Sequence, residues 1–101
     1  MRKGMLEFCV LLILQHKAAY ASEMIARLKD ARLIVVEGTL YPLLTRMKNE
    51  GLLNYEWQES TAGPPRKYYS LTPLGIEFLE QLSDSWGELQ STIDHLINNN
   101  S

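Results

Sequence analysis

Glu37-Gly38-Thr39-Leu40-Tyr41-Pro42-Leu43-Leu44-Thr45-Arg46-Met47-Lys48-Asn49-Glu50-Gly51 is the stretch on which the reading of this chain turns. Leu40, Leu43, Leu44 and Met47 recur at i, i+3, i+4 and i+7, the spacing that collects apolar side chains on one face of an α-helix. Gly51 stands where a helix C-cap belongs. Pro42 has no amide donor and its ring crowds the carbonyl four residues back, so the helix has to begin shortly before it, near Gly38, where the missing Cβ leaves the backbone most room. With the apolar stripe turned inward, the outward face holds Pro42, Thr45, Arg46 and Asn49, flanked by Thr39, Tyr41 and Lys48.

Upstream, residues 4–16 carry Met5, Leu6, Phe8, Cys9, Leu12, Ile13 and Leu14 with few polar interruptions, which predicts a helix buried on more than one side. From Tyr20 to about Asp30, Ala21, Met24, Ile25 and Leu28 share a face, a short amphipathic second helix. Leu33 to Val36 is a β-branched cluster expected to form a turn that inserts beneath the next helix. Downstream, Leu53, Tyr55 and Trp57 alternate with Asn54, Glu56 and Gln58, the period of a half-buried strand. Ser60-Thr61-Ala62-Gly63-Pro64-Pro65 has loop chemistry, and residues 66–71 alternate again. Thr72-Pro73 makes an N-cap and first-turn pair for a last helix running to about Ile97.

The fold class that results is mainly α with a small two-stranded β-wing. Helix, helix, helix, hairpin is the order of a winged helix-turn-helix, in residues 1–71, with a C-terminal helix in residues 72–101, the whole forming one compact unit. A length of 101 residues, 46% of them hydrophobic and 22% charged, fits one domain. A domain of this size gains from apolar surface shared with a second copy. Leu79, Leu82, Trp86, Leu89, Ile93 and Leu96 are spaced 3, 4, 3, 4 and 3 along the last helix, a heptad seam that points to a homodimer. The partner's own last helix or its first helix could meet this seam. Trp86, at its centre, either fills the dimer core or, with Phe8, Cys9, Leu82 and Leu89 as neighbours, offers a ring surface to a small aromatic ligand.

Charge is unevenly placed. Up to position 70, ten basic residues face seven acidic ones, a net +3; the remainder has five acidic residues and no Lys or Arg. Polyanion binding therefore belongs to the first portion. The single Cys9 has no partner for an internal disulfide, and His16 and His95 lie too far apart for zinc-ligand spacing, so neither a metal nor a cofactor is expected. The apolar run Cys9 to Leu14 is too short to span a bilayer and the N-terminus lacks a signal-peptide core, which predicts a cytoplasmic protein without membrane contact. No phosphate-binding glycine loop, nucleophile elbow or paired His and carboxylate is present, so an enzyme is not expected.

Two segments carry a resemblance. Residues 37–51 followed by Leu52-Leu53, and Gly63-Pro64-Pro65-Arg66-Lys67-Tyr68-Tyr69-Ser70-Leu71-Thr72-Pro73-Leu74-Gly75, closely resemble the PadR family of bacterial winged-helix transcriptional regulators, in its short subfamily with one C-terminal helix. The most specific parts are Gly-Thr-Leu-Tyr-Pro and Pro-Arg-Lys-Tyr-Tyr-x-Leu-Thr. The resemblance implies a homodimeric repressor on a palindromic operator in double-stranded DNA, released in many members by a phenolic, aromatic or drug-like ligand. The chain departs from the family in the second helix, where Tyr20-Ala21-Ser22-Glu23 stands in place of an aromatic or His followed by Gly-Tyr-Glu.

The side chains agree with that expectation. Arg46 can fork onto a guanine edge or a phosphate, Thr39 and Tyr41 can donate to phosphates at a helix N-terminus, and Lys48 adds a point charge beside Pro42 and Thr45. Arg66 and Lys67 suit a wing on the DNA backbone, with one of Tyr68 and Tyr69 in the core and the other free for DNA, Tyr68 being the candidate contact. Lys3 and Lys17 are further candidate phosphate contacts. The competing reading is a winged-helix module that binds a protein and not DNA, compatible with a pI of about 5.6.

Overall fold

Seven elements follow one another in the computed structural model, which describes residues 2–99 and the side chains of residues 4–99. They are α1 (Arg2–His16), β1 (Ala19–Tyr20), α2 (Ala21–Asp30), α3 (Glu37–Asn49), β2 (Leu53–Ser60), β3 (Gly63–Leu71) and α4 (Pro73–Asn99). The sequence-derived order of helices and hairpin is present throughout.

The apolar stripe of α3 is fully used: Leu40, Leu44 and Met47 have no exposed surface and Leu43 almost none. They meet Val10, Leu11 and Leu14 of α1, Met24 and Leu28 of α2, and Leu53 and Tyr69 of the hairpin in a single core. Burial, together with the neighbouring phenols of Tyr41 and Tyr55, pushes the Tyr69 phenol above its ordinary range. The helix starts at Glu37, one residue before Gly38, so Pro42 is its sixth residue and the carbonyl it leaves unpaired belongs to Gly38. Its C-terminus is a Schellman turn: Gly51, at φ 82°, donates to the Lys48 carbonyl at 3.0 Å and Leu52 donates to that of Met47 at 3.0 Å. The same turn ends α2, where Arg32 takes the left-handed position at φ 68°.

Three features differ from the sequence expectation. The sheet has three strands, in the order β1-β3-β2, because Ala19 and Tyr20 pair antiparallel with Tyr69 and Tyr68. Two residues carry no alternation pattern, so only the partner strand defines β1. The hairpin turn is shorter than the loop chemistry suggested, Thr61-Ala62 alone; Pro64 and Pro65 lie within β3, in the register break between the Gln58–Arg66 and Ser60–Gly63 pairs, where a missing donor costs little. The turn before α3 inserts Val35, and Leu33 in part, but alternation of side chains leaves Ile34 and Val36 largely exposed.

The α4 helix is anchored at its start. Thr72 accepts from the Gly75 amide at 3.0 Å and donates its hydroxyl to the Gly51 carbonyl, the N-cap anticipated for Thr72-Pro73. Gly75 lies so close to the Leu52 carbonyl oxygen that a Cβ would stand 2.1 Å from it. Leu79 is 1% exposed, and Phe78 and Leu82 pack against the core; every described residue from Ser83 onward is exposed. The helix therefore projects from the winged unit and gives the chain extents of 59 × 27 × 21 Å. None of the helices is long and apolar enough to cross a membrane among the described residues.

Candidate nucleic-acid interface

Helix α3 presents three surfaces beside its buried stripe. Pro42, Thr45 and Asn49 point away from the core; Tyr41 and Lys48 turn toward the hairpin; Thr39 and Arg46 turn toward α1, where they line a shallow groove of about 290 Å³ with Leu6, Pro42 and Leu43. Thr39, Tyr41, Pro42, Thr45 and Lys48 are exposed, as the sequence predicted.

Arg46 is less free than its place on the helix suggested. One terminal nitrogen of its guanidinium donates to Glu7 Oε2 at 3.1 Å, and its Nε lies 3.8 Å from Glu50 Oε1, one turn along the same helix. The pair ties α3 to α1. To reach DNA, Arg46 has to exchange a carboxylate partner or use its remaining donors.

The hairpin brings cations to aromatic rings. Lys67 Nζ lies 4.5 Å from the centre of the Tyr55 ring and 5.4 Å from that of Trp57, and Lys48 Nζ reaches the Tyr55 ring from α3 at 5.9 Å. Tyr55 thus gathers one ammonium from the helix and one from the wing. On the other face of the hairpin, the Arg66 guanidinium sits 3.9 Å over the Tyr20 ring, which also meets Tyr68 at 4.9 Å and donates its hydroxyl to Gln58 Oε1 at 2.6 Å. Tyr20 enters α2 through a capping arrangement in which its amide donates to Glu23 Oε1 at 2.9 Å. The altered second-helix segment therefore anchors the base of the wing to α2.

Of the remaining sequence candidates, Tyr68 is half-buried against Tyr20 while Tyr69 is the core member of the pair. Lys17 is exposed on a different groove, with Ile13, His16, Glu23 and Arg27. The side chain of Lys3 lies outside the described residues. Glu7, Tyr20, Tyr55 and Trp57 were not singled out for a site from sequence; their partners are 38 or 39 residues distant or across a strand pair, and no local pattern marks such meetings.

Away from this face, Trp86 is half exposed and its ring meets Phe8 at 6.2 Å, tilted by 57°. Cys9, which follows Phe8 in the chain, is partly buried, and that burial pushes its thiol up from the ordinary value. Leu89, Ile93 and Leu96 are each about half exposed and Leu82 half-buried. Leu79 departs from the expected seam, since the chain's own core already encloses it and it has no surface to give to a second copy.

A family model described as the transcriptional regulator PadR-like family matches residues 10–81. The chain belongs to the PadR-like family. A solved PadR-like transcription factor from Bacteroides fragilis is 64% identical, with 95% of this chain and 93% of that one covered at a TM-score of 0.87. A PadR-like transcriptional regulator from Bacillus cereus is 40% identical, covering 96% and 95% at a TM-score of 0.84. A PadR family regulator from Eggerthella lenta is 33% identical, covering 95% and 84% at 0.84. PadR-like proteins are regulators of transcription and not enzymes, and membership makes this chain a DNA-binding regulator with a winged-helix fold.

Proposed function

We propose that two copies of this PadR-like chain, joined along α4, form a repressor that reads a palindromic operator in duplex DNA. Residues 1–71 are the DNA-binding part and residues 72–101 the dimerisation helix. The observation that carries the reading is the meeting of Lys48 from α3 and Lys67 from the wing over one Tyr55 ring, beside the exposed face of α3 formed by Pro42, Thr45 and Asn49. A helix face for the major groove and a cationic wing for the adjoining backbone are then held in one rigid frame. Thr39, Tyr41, Arg46 and Arg66 add donors at its edges, and Lys3, Lys17 and Tyr68 complete the proposed contact set.

The bare apolar face of α4, from Leu82 and Trp86 through Leu89, Ile93 and Leu96, supports the dimer, and a two-fold dimer presents two such frames to two half-sites. The half-exposed Trp86 against Phe8, with Cys9, Leu82 and Leu89 nearby, supports release by a small planar aromatic ligand that stacks there and shifts α1 against α4. A regulator of this kind works in the cytoplasm without cofactor.

Light scattering, with fluorescence anisotropy of a labelled duplex taken from the DNA upstream of the chain's own coding sequence, tests the reading. The expected result is a dimer whose binding weakens steeply with salt, with weaker binding on Arg46→Ala and a salt slope lowered by about one unit on Lys67→Ala. A dimer indifferent to duplex DNA at low salt overturns it and turns the search to a protein partner of the same surface.

A further inference from the structure

Trp57 is not among the DNA contacts proposed above, and its position sets it apart. It is 62% exposed on β2, opposite Lys67 in the strand register, with the Lys67 ammonium 5.4 Å from its ring centre and the Tyr55 ring at 5.8 Å, nearly perpendicular at 88°. Beyond Leu53 and Tyr55 on the same face of the strand, it carries the apolar surface of the hairpin out past the core toward solvent. There it walls a groove of about 410 Å³ between the wing and the starts of α2 and α3, shared with Tyr41, Pro65, Arg66, Lys67 and Glu37.

The lining selects the occupant by charge and by shape. Arg66 sits over the Tyr20 ring and Lys67 over the Tyr55 and Trp57 rings, so a cationic ligand would meet positive charge already seated in the groove. An anion is favoured instead. Glu37, at the α3 end, excludes negative charge from that end of the groove and leaves the wing side as its track. A bare phosphate would satisfy the cations but not the exposed indole face, while a flat apolar ligand would leave the cations unpaired. A sugar–phosphate strand offers both in alternation: charged oxygens, and between them the C–H face of a deoxyribose.

Resting on the DNA-binding reading above, we propose that this groove is the track of one sugar–phosphate strand between the groove entered by α3 and the groove reached by the wing, with Trp57 packed on a deoxyribose and Lys67 and Arg66 on the flanking phosphates. The contact is blind to sequence, because every nucleotide has the same sugar. Trp57 then sets how tightly any duplex is held without setting which one is chosen.

Fluorotryptophan incorporated into the otherwise unaltered chain gives two fluorine resonances, assigned by Trp57→Phe, while anisotropy of the labelled upstream duplex reports binding independently. Saturating duplex is expected to shift the Trp57 resonance and abolish its sensitivity to exchange of water for deuterium oxide. Trp57→Ala, at a surface position that leaves the core intact, is expected to weaken the upstream duplex and a scrambled duplex equally, by about tenfold, the scale of a lost aromatic contact, with the salt slope unchanged because no phosphate contact is removed. Duplex binding with an unmoved Trp57 resonance, a Trp57→Ala chain that binds as tightly as the parent, or a loss confined to one sequence each overturns the proposal. Failure of the parent chain to bind any duplex removes the DNA-binding reading and this inference with it, and the anisotropy signal alone distinguishes that case.

Discussion

Gly75 shows how a single missing atom fixes the relation between the winged unit and its last helix. The Leu52 carbonyl occupies the space a Cβ would need and accepts from the Thr72 amide at 3.1 Å, so neither partner can move away without breaking the N-cap of α4. Gly75→Ala is therefore expected to destabilise the fold by about 2 to 3 kcal/mol, the cost of forcing an atom into a filled backbone contact, and to lower the thermal midpoint by roughly 10 °C or more. Differential scanning calorimetry reads this directly, and an unchanged midpoint would place the helix start elsewhere. Gly51 meets a different demand, a positive φ, and has ordinary room around it, with its nearest neighbour at 3.5 Å.

At the scale of elements, the two Schellman turns make a natural comparison, since Gly51 closes α3 and Arg32 closes α2 in the same hydrogen-bond pattern. A side chain with a Cβ in the left-handed region costs about 1 to 2 kcal/mol, of which part returns because glycine is freer in the unfolded chain. Arg32→Gly is accordingly expected to stabilise the protein by about 0.5 to 1 kcal/mol in urea unfolding, and a loss of stability would mean that the Arg32 side chain holds something in place. The helices could be read from sequence because their signals are local: the stripe Leu40, Leu43, Leu44, Met47 needed no knowledge of what it would meet, and Thr72-Pro73 announced its own helix. β1 could not, being two residues defined by Tyr68 and Tyr69 far along the chain. The candidate site divides the same way. Which α3 residues face outward followed from the 3.6-residue period; that Arg46 is held by Glu7, and Arg66 by Tyr20, depends on packing between distant segments that periodicity does not encode.

For the whole molecule, the decisive feature is the projecting half of α4, an apolar seam on a helix that holds all five acidic residues beyond position 70 and no Lys or Arg. Trp86, Leu89, Ile93 and Leu96 are about half exposed in one chain, and Met5 and Leu12 of α1 are similarly exposed. Ile93→Glu puts a charge into the seam in both copies of a dimer and is expected to raise the dimer dissociation constant by about a hundredfold or more, since two aliphatic side chains buried in the dimer are lost. Sedimentation equilibrium measures it, and a variant still dimeric at the parent's concentrations would remove the α4 seam from the interface. Salt then distinguishes the two arrangements available to the seam. If α4 meets the partner's α4, two helices that each carry five carboxylates and no Lys or Arg are brought side by side, and screening of their mutual repulsion tightens the dimer as salt rises from about 50 to about 300 mM. If it meets the partner's α1, whose sequence starts with Arg2 and Lys3, the attraction is screened instead and the dimer loosens. The heptad spacing of the seam favours the first arrangement, so the expected outcome is self-association that strengthens with salt while DNA binding weakens with it. A dimer that loosens in parallel with DNA release would assign the interface to α1.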